Sequence, residues 1–193
     1  MTSNKIILLN APKGSGKNTI AEALHKNYNT VLHSFKSPIF EIAAKMVGMH
    51  FDDFLKLYDD RRKKEFPCEE CLGYSCRELF IAISEDFCKP KFGLSYFGKI
   101  AANNMDSVHL EKYGYVFSDS GFIEEIIPIA DKFGKDKCVI VQFTGQDSNN
   151  FTGDSRGWVD GRPVGIHTVK IEMSNKNISP AEYANHILEK IGI

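Results

Sequence analysis

The stretch IILLNAPKGSGKNTIAEAL, residues 6–24, limits what this chain can fold into more than any other. Its first part is short and apolar and stops at a turn, the pattern of a fully buried strand. A turn of Gly and small residues follows. From residue 17 the apolar positions Ile20, Ala23 and Leu24 share one face of a helix expected over 17–28. The same alternation continues down the chain. TVLHSF (30–35) fits a second strand. Ser37 is expected to cap a helix with Pro38 at its first position and Glu41 near its first turn, running to about Val47 before Gly48. Residues 51–74 read as a helix and an exposed connection, 75–88 as a helix, and about 95–106 as another. Strands are expected at 113–119, 137–143 and 167–173. FIEEIIPIADKF is a helix that is either kinked by its Pro or starts late, and Ser179 and Pro180 open a final helix over 180–191. Strands alternating with helices define an α/β fold, with a central parallel sheet of about five strands and helices on both faces. The stretches 58–74 and 144–166 are long for loops inside a compact domain, which marks them as functional.

The turn after the first strand nearly fits G-x-x-x-x-G-K-[ST], but Ala11 stands for the first Gly and Asn18 for the Ser or Thr, with Thr19 next. Backbone N–H groups between a strand and a helix start form a concave anion site, and the helix dipole adds to it. Lys13, Gly14, Ser15, Gly16, Lys17, Asn18 and Thr19 are therefore the expected ATP-binding residues. Gly14 and Gly16 permit close backbone approach. Lys17 is expected to face solvent and to reach the β- and γ-phosphates. Asn18 lacks a hydroxyl, but its carbonyl oxygen suits Mg²⁺, directly or through water, and Thr19 then serves the α-phosphate. The bland alternative is a Gly-rich turn with an accidental Lys; the coincidence of strand, G-S-G-K and helix disfavours it.

Other positions carry chemistry less directly. Asp119 ends an apolar strand, where ligand sites gather in open α/β sheets, and can hold Mg²⁺ or another ligand; a helix N-cap, with Ser120 as competitor, is the alternative. GDSRGWVDGR places Arg156 and Arg162 in the long loop, where a closing lid can bring an arginine to a transferring phosphoryl group. Asp154 can orient the arginine, and Trp158 can stack on a base or anchor the lid. Lys36 and Arg77 are candidate clamps for a phosphate, with a solvated cation as the alternative, equally so for Lys36 and less so for Arg77. Glu85, roughly on the same helix face as Arg77, contacts the acceptor or pairs with a neighbour. Phe92 and Gly93 form part of a base pocket or of the core. RRKKE (61–65), with acidic neighbours, reads as a solvated face. Cys68 and Cys71, with Cys76 and Cys88 beyond, do not repeat as paired C-x-x-C units, so no structural zinc is expected. His50, His109 and His167 have no partner pattern.

SGKNT resembles the S-G-K-D-T loop of bacteriophage deoxynucleoside monophosphate kinases. SFKSPIFEIAAKMVG, LGYSCRELFIAISE (with Cys76 in place of a Pro), GYVFSDSGFIEE and FTGDSRGWV resemble further segments of that family, in order, from about residue 5 to 175. The resemblance implies a P-loop NTPase three-layer sandwich in a single domain over 1–193, with an acceptor-binding helical region at about 36–106 and a lid at about 144–166. It implies transfer of the ATP γ-phosphoryl group, with Mg²⁺, to a deoxynucleoside monophosphate. Lys17, Arg156 and Arg162 are then catalytic, and Lys36, Arg77, Glu85, Phe92, Gly93, Asp119 and Trp158 bind the acceptor; Asn18 and Asp119 serve the metal. Relatives carry a further Arg early in the lid, and residues 143–150 have none. A different phosphorylated acceptor, or a regulatory module that binds ATP without catalysis, stays open as an alternative.

Bulk properties exclude rather than identify. A formal net charge of −1 gives no support to a non-specific nucleic-acid binder. The first apolar run is far too short for a signal sequence or a membrane span, and five Cys is an odd number. The expectation is a cytoplasmic protein with reduced thiols (host-cell cytoplasm if phage-encoded), with no nucleic-acid or membrane partner and a homodimer left open.

Overall fold

The structure, a computed structural model, describes residues 5–145, 151, 156–173 and 178–193. Five strands pair in one all-parallel sheet: β1 (Ile6–Asn10), β2 (Val31–His33), β3 (Tyr115–Phe117), β4 (Cys138–Thr144) and β5 (His167–Glu172). Their order is β2-β3-β1-β4-β5. β1 lies in the middle, with Leu8 opposite Phe117 on one side and Ile140 on the other.

Side chains alternate across a strand, so β1 divides its apolar residues between two cores. Ile7 and Leu9 pack with Val139 and Val141, with Ile20 and Leu24 of α1 (Lys17–Tyr28), and with Tyr183 and Ile187 of α10 (Pro180–Lys190). Ile6 and Leu8 pack with Phe117 and Ile140. The same core takes Ala101 of α7 (Tyr96–Asn104), Leu110 of α8 (Ser107–Tyr113) and Ile126 of α9 (Ile123–Phe133). Burial on both faces explains why β1 reads as an unbroken apolar run. Ser179 caps α10 and forms a reciprocal box with Glu182.

The chain divides into two compact units, Met1–Phe35 with Gly98–Ile193, and Lys36–Phe97. The second is helical: α2 (Ser37–Met46), α3 (Phe51–Asp59), α4 (Arg61–Glu65), α5 (Cys76–Ile81), a π-helical stretch (Ala82–Cys88) and α6 (Lys89–Phe92). Its aromatic centre sets Phe40 edge-on to Phe80 at 4.7 Å and stacks Tyr58 on Phe80 at 5.1 Å.

Several local expectations change. Lys36 rather than Ser37 is the N-cap of α2, with no side-chain cap bond, because Ser37 already has helical backbone. Residues 107–113 form α8, which the apolar pattern did not show; the Asp106 carboxylate accepts from Val108 N at 2.6 Å and caps its start. The π-helical stretch winds more residues per turn than an α-helix, so a 3.6-residue face drawn from Arg77 to Glu85 loses its phase at Ala82. Among the described residues no helix is long and apolar enough to cross a membrane.

Candidate functional site

The loop between β1 and α1 is shaped by two backbone positions. Gly14 (φ +83°) and Gly16 (φ +80°) are both left-handed, a conformation that costs Gly nothing and other residues much. Gly16 is also the N-cap of α1. It brings no capping side chain, and the first turn holds no acidic residue. The first-turn N–H groups of a 12-residue helix therefore meet no side-chain acceptor from the cap, at the positive end of its dipole. Lys13, Asn18 and Thr19 are exposed around this end and Ser15 is buried in the loop.

Lys17 departs from the expectation that it faces solvent. It is only 8% exposed, and its Nζ donates to the Ala11 carbonyl at 2.5 Å, the Pro12 carbonyl at 2.7 Å and Ser15 Oγ at 3.3 Å. Helix side chains lean toward the N-terminus, so the first residue of α1 folds its stem back over the loop. An ammonium withdrawn from water needs acceptors, and the curled loop carbonyls supply them.

Beside this loop the strand ends are tied together by buried polar side chains. Asn10, the last residue of β1, is 0% exposed. Its Nδ2 donates to the Ser120 carbonyl at 2.9 Å and to the Gly157 carbonyl at 3.0 Å, and its Oδ1 accepts from Val159 N at 3.0 Å. Asp119 accepts from Ser34 Oγ at 2.6 Å and from Phe35 N at 3.1 Å, which joins the ends of β2 and β3. The N-cap alternative for Asp119 and Ser120 is not what forms: Phe122 is the N-cap of α9, without a side-chain bond. Ser120 Oγ is buried with no hydrogen-bond partner among the described residues. Burial holds His33 below the usual imidazole value, while the Asp119 carboxylate pulls the other way.

The segment expected to form a lid, 144–166, is described in part. Gln142 Nε2 donates to the Val159 carbonyl at 2.8 Å, Thr168 Oγ1 accepts from Gly161 N at 3.0 Å, and Val159 and Ile166 enter the core. From Gly157 onward the segment is thus fastened to the sheet. Residues 146–150 of the 143–150 stretch that lacks an early Arg lie outside the described residues, as does Asp154. Arg156 lies with its stem against Gly121. Trp158 is partly exposed and sits edge-on to Phe151 at 5.2 Å. Arg162 forms a fork with Asp160, Nε to Oδ1 at 2.8 Å and Nη2 to Oδ2 at 2.7 Å. The same fork holds the Asp160 carboxyl down to about 2.

The remaining expected acceptor residues lie in Lys36–Phe97. Lys36 caps α2, and Arg77 is half-buried in the first turn of α5. Glu85 lies in the π-helical stretch and pairs with Lys89 at 2.8 Å. Phe92 is exposed and stacks on Tyr96 at 4.7 Å, and Gly93 ends α6 with φ +89°. Residues 61–65 form α4, capped by Asp60, with Lys63 paired to Glu70 and Lys64 3.9 Å above the Tyr58 ring. All five cysteines are free; Cys71 and Cys76 touch at 3.6 Å, and burial pushes both thiols up. Burial also pushes the Cys138 thiol up to about 12. Among the described residues no group of three or more His, Cys, Asp or Glu is arranged to hold a metal ion.

Asn10 is the site residue that motif reading passed over. Its signal was present: one amide closing an otherwise apolar strand, directly before a Gly-rich loop. A scan against protein-family models finds no match to the chain, and a search of curated proteins finds none.

Proposed function

We propose that the chain is a deoxynucleoside monophosphate kinase that transfers the γ-phosphoryl group of ATP to a dNMP, giving dNDP and ADP. The observation that carries this reading is the uncapped start of α1 behind the left-handed Gly14 and Gly16, with Lys17 folded over the loop. An anion entering such a loop meets backbone N–H groups and the helix dipole, and it offers Lys17 a stronger partner than two carbonyls. The ordered resemblance described above supplies the acceptor class.

In this reading Lys13 to Thr19 hold the ATP phosphates. Mg²⁺ bound with ATP neutralises charge on the β- and γ-phosphates. The exposed amide oxygen of Asn18 and hydroxyl of Thr19 suit that hard cation. Asp119 fits it less directly, because each of its oxygens already accepts a hydrogen bond. Arg156 stabilises charge on the transferring group. An oxygen of the acceptor phosphate attacks the γ-phosphorus, the bond to the bridging oxygen breaks, and ADP leaves without a covalent enzyme intermediate.

The test is ADP release from ATP, followed in a coupled assay with dNMPs, NMPs, other phosphorylated metabolites and no acceptor. Release that depends on a dNMP is expected. Release with an unrelated phosphorylated metabolite alone replaces the acceptor. ATP binding without release under any condition removes the kinase reading.

A further inference from the structure

We propose that Gly121 and Asn10 form a fixed seat for Arg156, so that this arginine is held at the carboxyl edge of the sheet before any substrate binds. The inference rests on the kinase reading for what Arg156 does, but its geometry stands apart from it. A Cβ on Gly121 would lie 2.3 Å from Cδ, 2.4 Å from Cγ and 2.9 Å from Cβ of Arg156. Its backbone is outside the left-handed region, so no conformational demand explains a glycine there. What the missing side chain leaves is room for the arginine stem.

Both halves of the seat are joined through one amide. Ser120, the neighbour of Gly121, and Gly157, the neighbour of Arg156, each offer a carbonyl to Asn10 Nδ2, at 2.9 and 3.0 Å. Val159 N returns a bond to Asn10 Oδ1 at 3.0 Å. Asn10 directly precedes Ala11, so the residue that launches the phosphate-loop candidate also fixes the backbone beside Arg156. A cation that acts on developing charge works best when its position is set before the reaction, since no reorganisation is then needed. Gly121 and Asn10 touch no reacting atom; they are positioning residues. Arg162, forked to Asp160, has no such seat.

The test is a double-mutant cycle of Gly121→Ala and Arg156→Ala, read by kcat, ATP Kd and Tm. Gly121→Ala is expected to lower kcat at least tenfold with ATP Kd within twofold, and to lower Tm. In the Arg156→Ala background the contacts to Cγ and Cδ are gone and only the 2.9 Å approach to Cβ remains, so the same methyl should change kcat less than twofold and lower Tm by less than in the parent. A protein that fails to fold as Gly121→Ala but folds as the double variant supports the seat equally. Full kcat in Gly121→Ala, equal losses in both backgrounds, or misfolding of both variants overturns it. An impaired Arg156→Ala beside an intact Gly121→Ala overturns the seat and leaves the kinase reading standing. A parent protein without ATP-dependent turnover overturns the kinase reading, and the Tm cycle alone then decides the seat.

Discussion

Within Lys36–Phe97 several side chains bond to near neighbours in sequence: Glu78 to Ser75, Lys89 to Glu85, Ser84 to the Phe80 carbonyl, Lys56 to Asp53. At the carboxyl edge of the sheet they cross the chain. Asn10 reaches residues 110, 147 and 149 positions away, and Asp119 reaches back 84 and 85. A helix closes its own backbone ladder and needs help only at its ends. Parallel strands end in loops that arrive from distant parts of the chain, and the polar groups of those loops have no ladder to join. Buried amides and carboxylates therefore do the joining. Damage to the helical unit should stay within a turn, while damage at the sheet edge should loosen several loops together.

Four variants can break or sharpen that contrast. Lys17→Ala should have the largest effect, although the bonds of Lys17 to Ala11, Pro12 and Ser15 lie within its own loop. Turnover should fall by roughly 10²–10³ or more, as for loss of a charge-stabilising donor, with the fold intact by circular dichroism. A near-parent rate in steady-state kinetics would separate the loop from catalysis. Asn10→Leu keeps the branched outline with somewhat more bulk and removes three bonds, stranding Val159 N–H and the Ser120 and Gly157 carbonyls. Urea unfolding should show a loss of about 2–5 kcal/mol. A loss under about 1 kcal/mol would show that the loops hold without the amide. Ser75→Ala removes a buried capping box and should cost about 1 kcal/mol. A cost equal to that of Asn10→Leu would erase the distinction between the two regions. Asp160→Asn should be the mildest. The carboxyl is depressed in the folded state, so whatever its pair with Arg162 contributes is present above the usual carboxylate value and lost as pH falls through about 2. The pair is exposed, so Tm at pH 7 should not move, and only the acid titration should differ. A Tm loss at pH 7 as large as that of Ser75→Ala would make the surface fork an anchor of the 157–166 segment.

The amino-acid sequence by itself determined the elements whose causes are local. β1, α1, β4, β5 and α10 follow from apolar period and from Ser179, and the loop at Gly14 and Gly16 follows from residues that tolerate left-handed backbone. Where the period was short or its phase shifted, at α8 and in the π-helical stretch, pattern reading lost the structure. Only the tertiary structure decided what the polar residues at the sheet edge do. Lys17 folded inward because the loop carbonyls face it, and Asp119 became a tie because β2 ends beside β3. Val159 bonds to the sheet edge, and Arg156 lies against Gly121, because Asn10, Gln142 and Gly121 stand where that part of the chain passes. Those partners lie far apart in the chain, as Val159 does from Asn10, and no local spacing records which strand ends the sheet order will bring together.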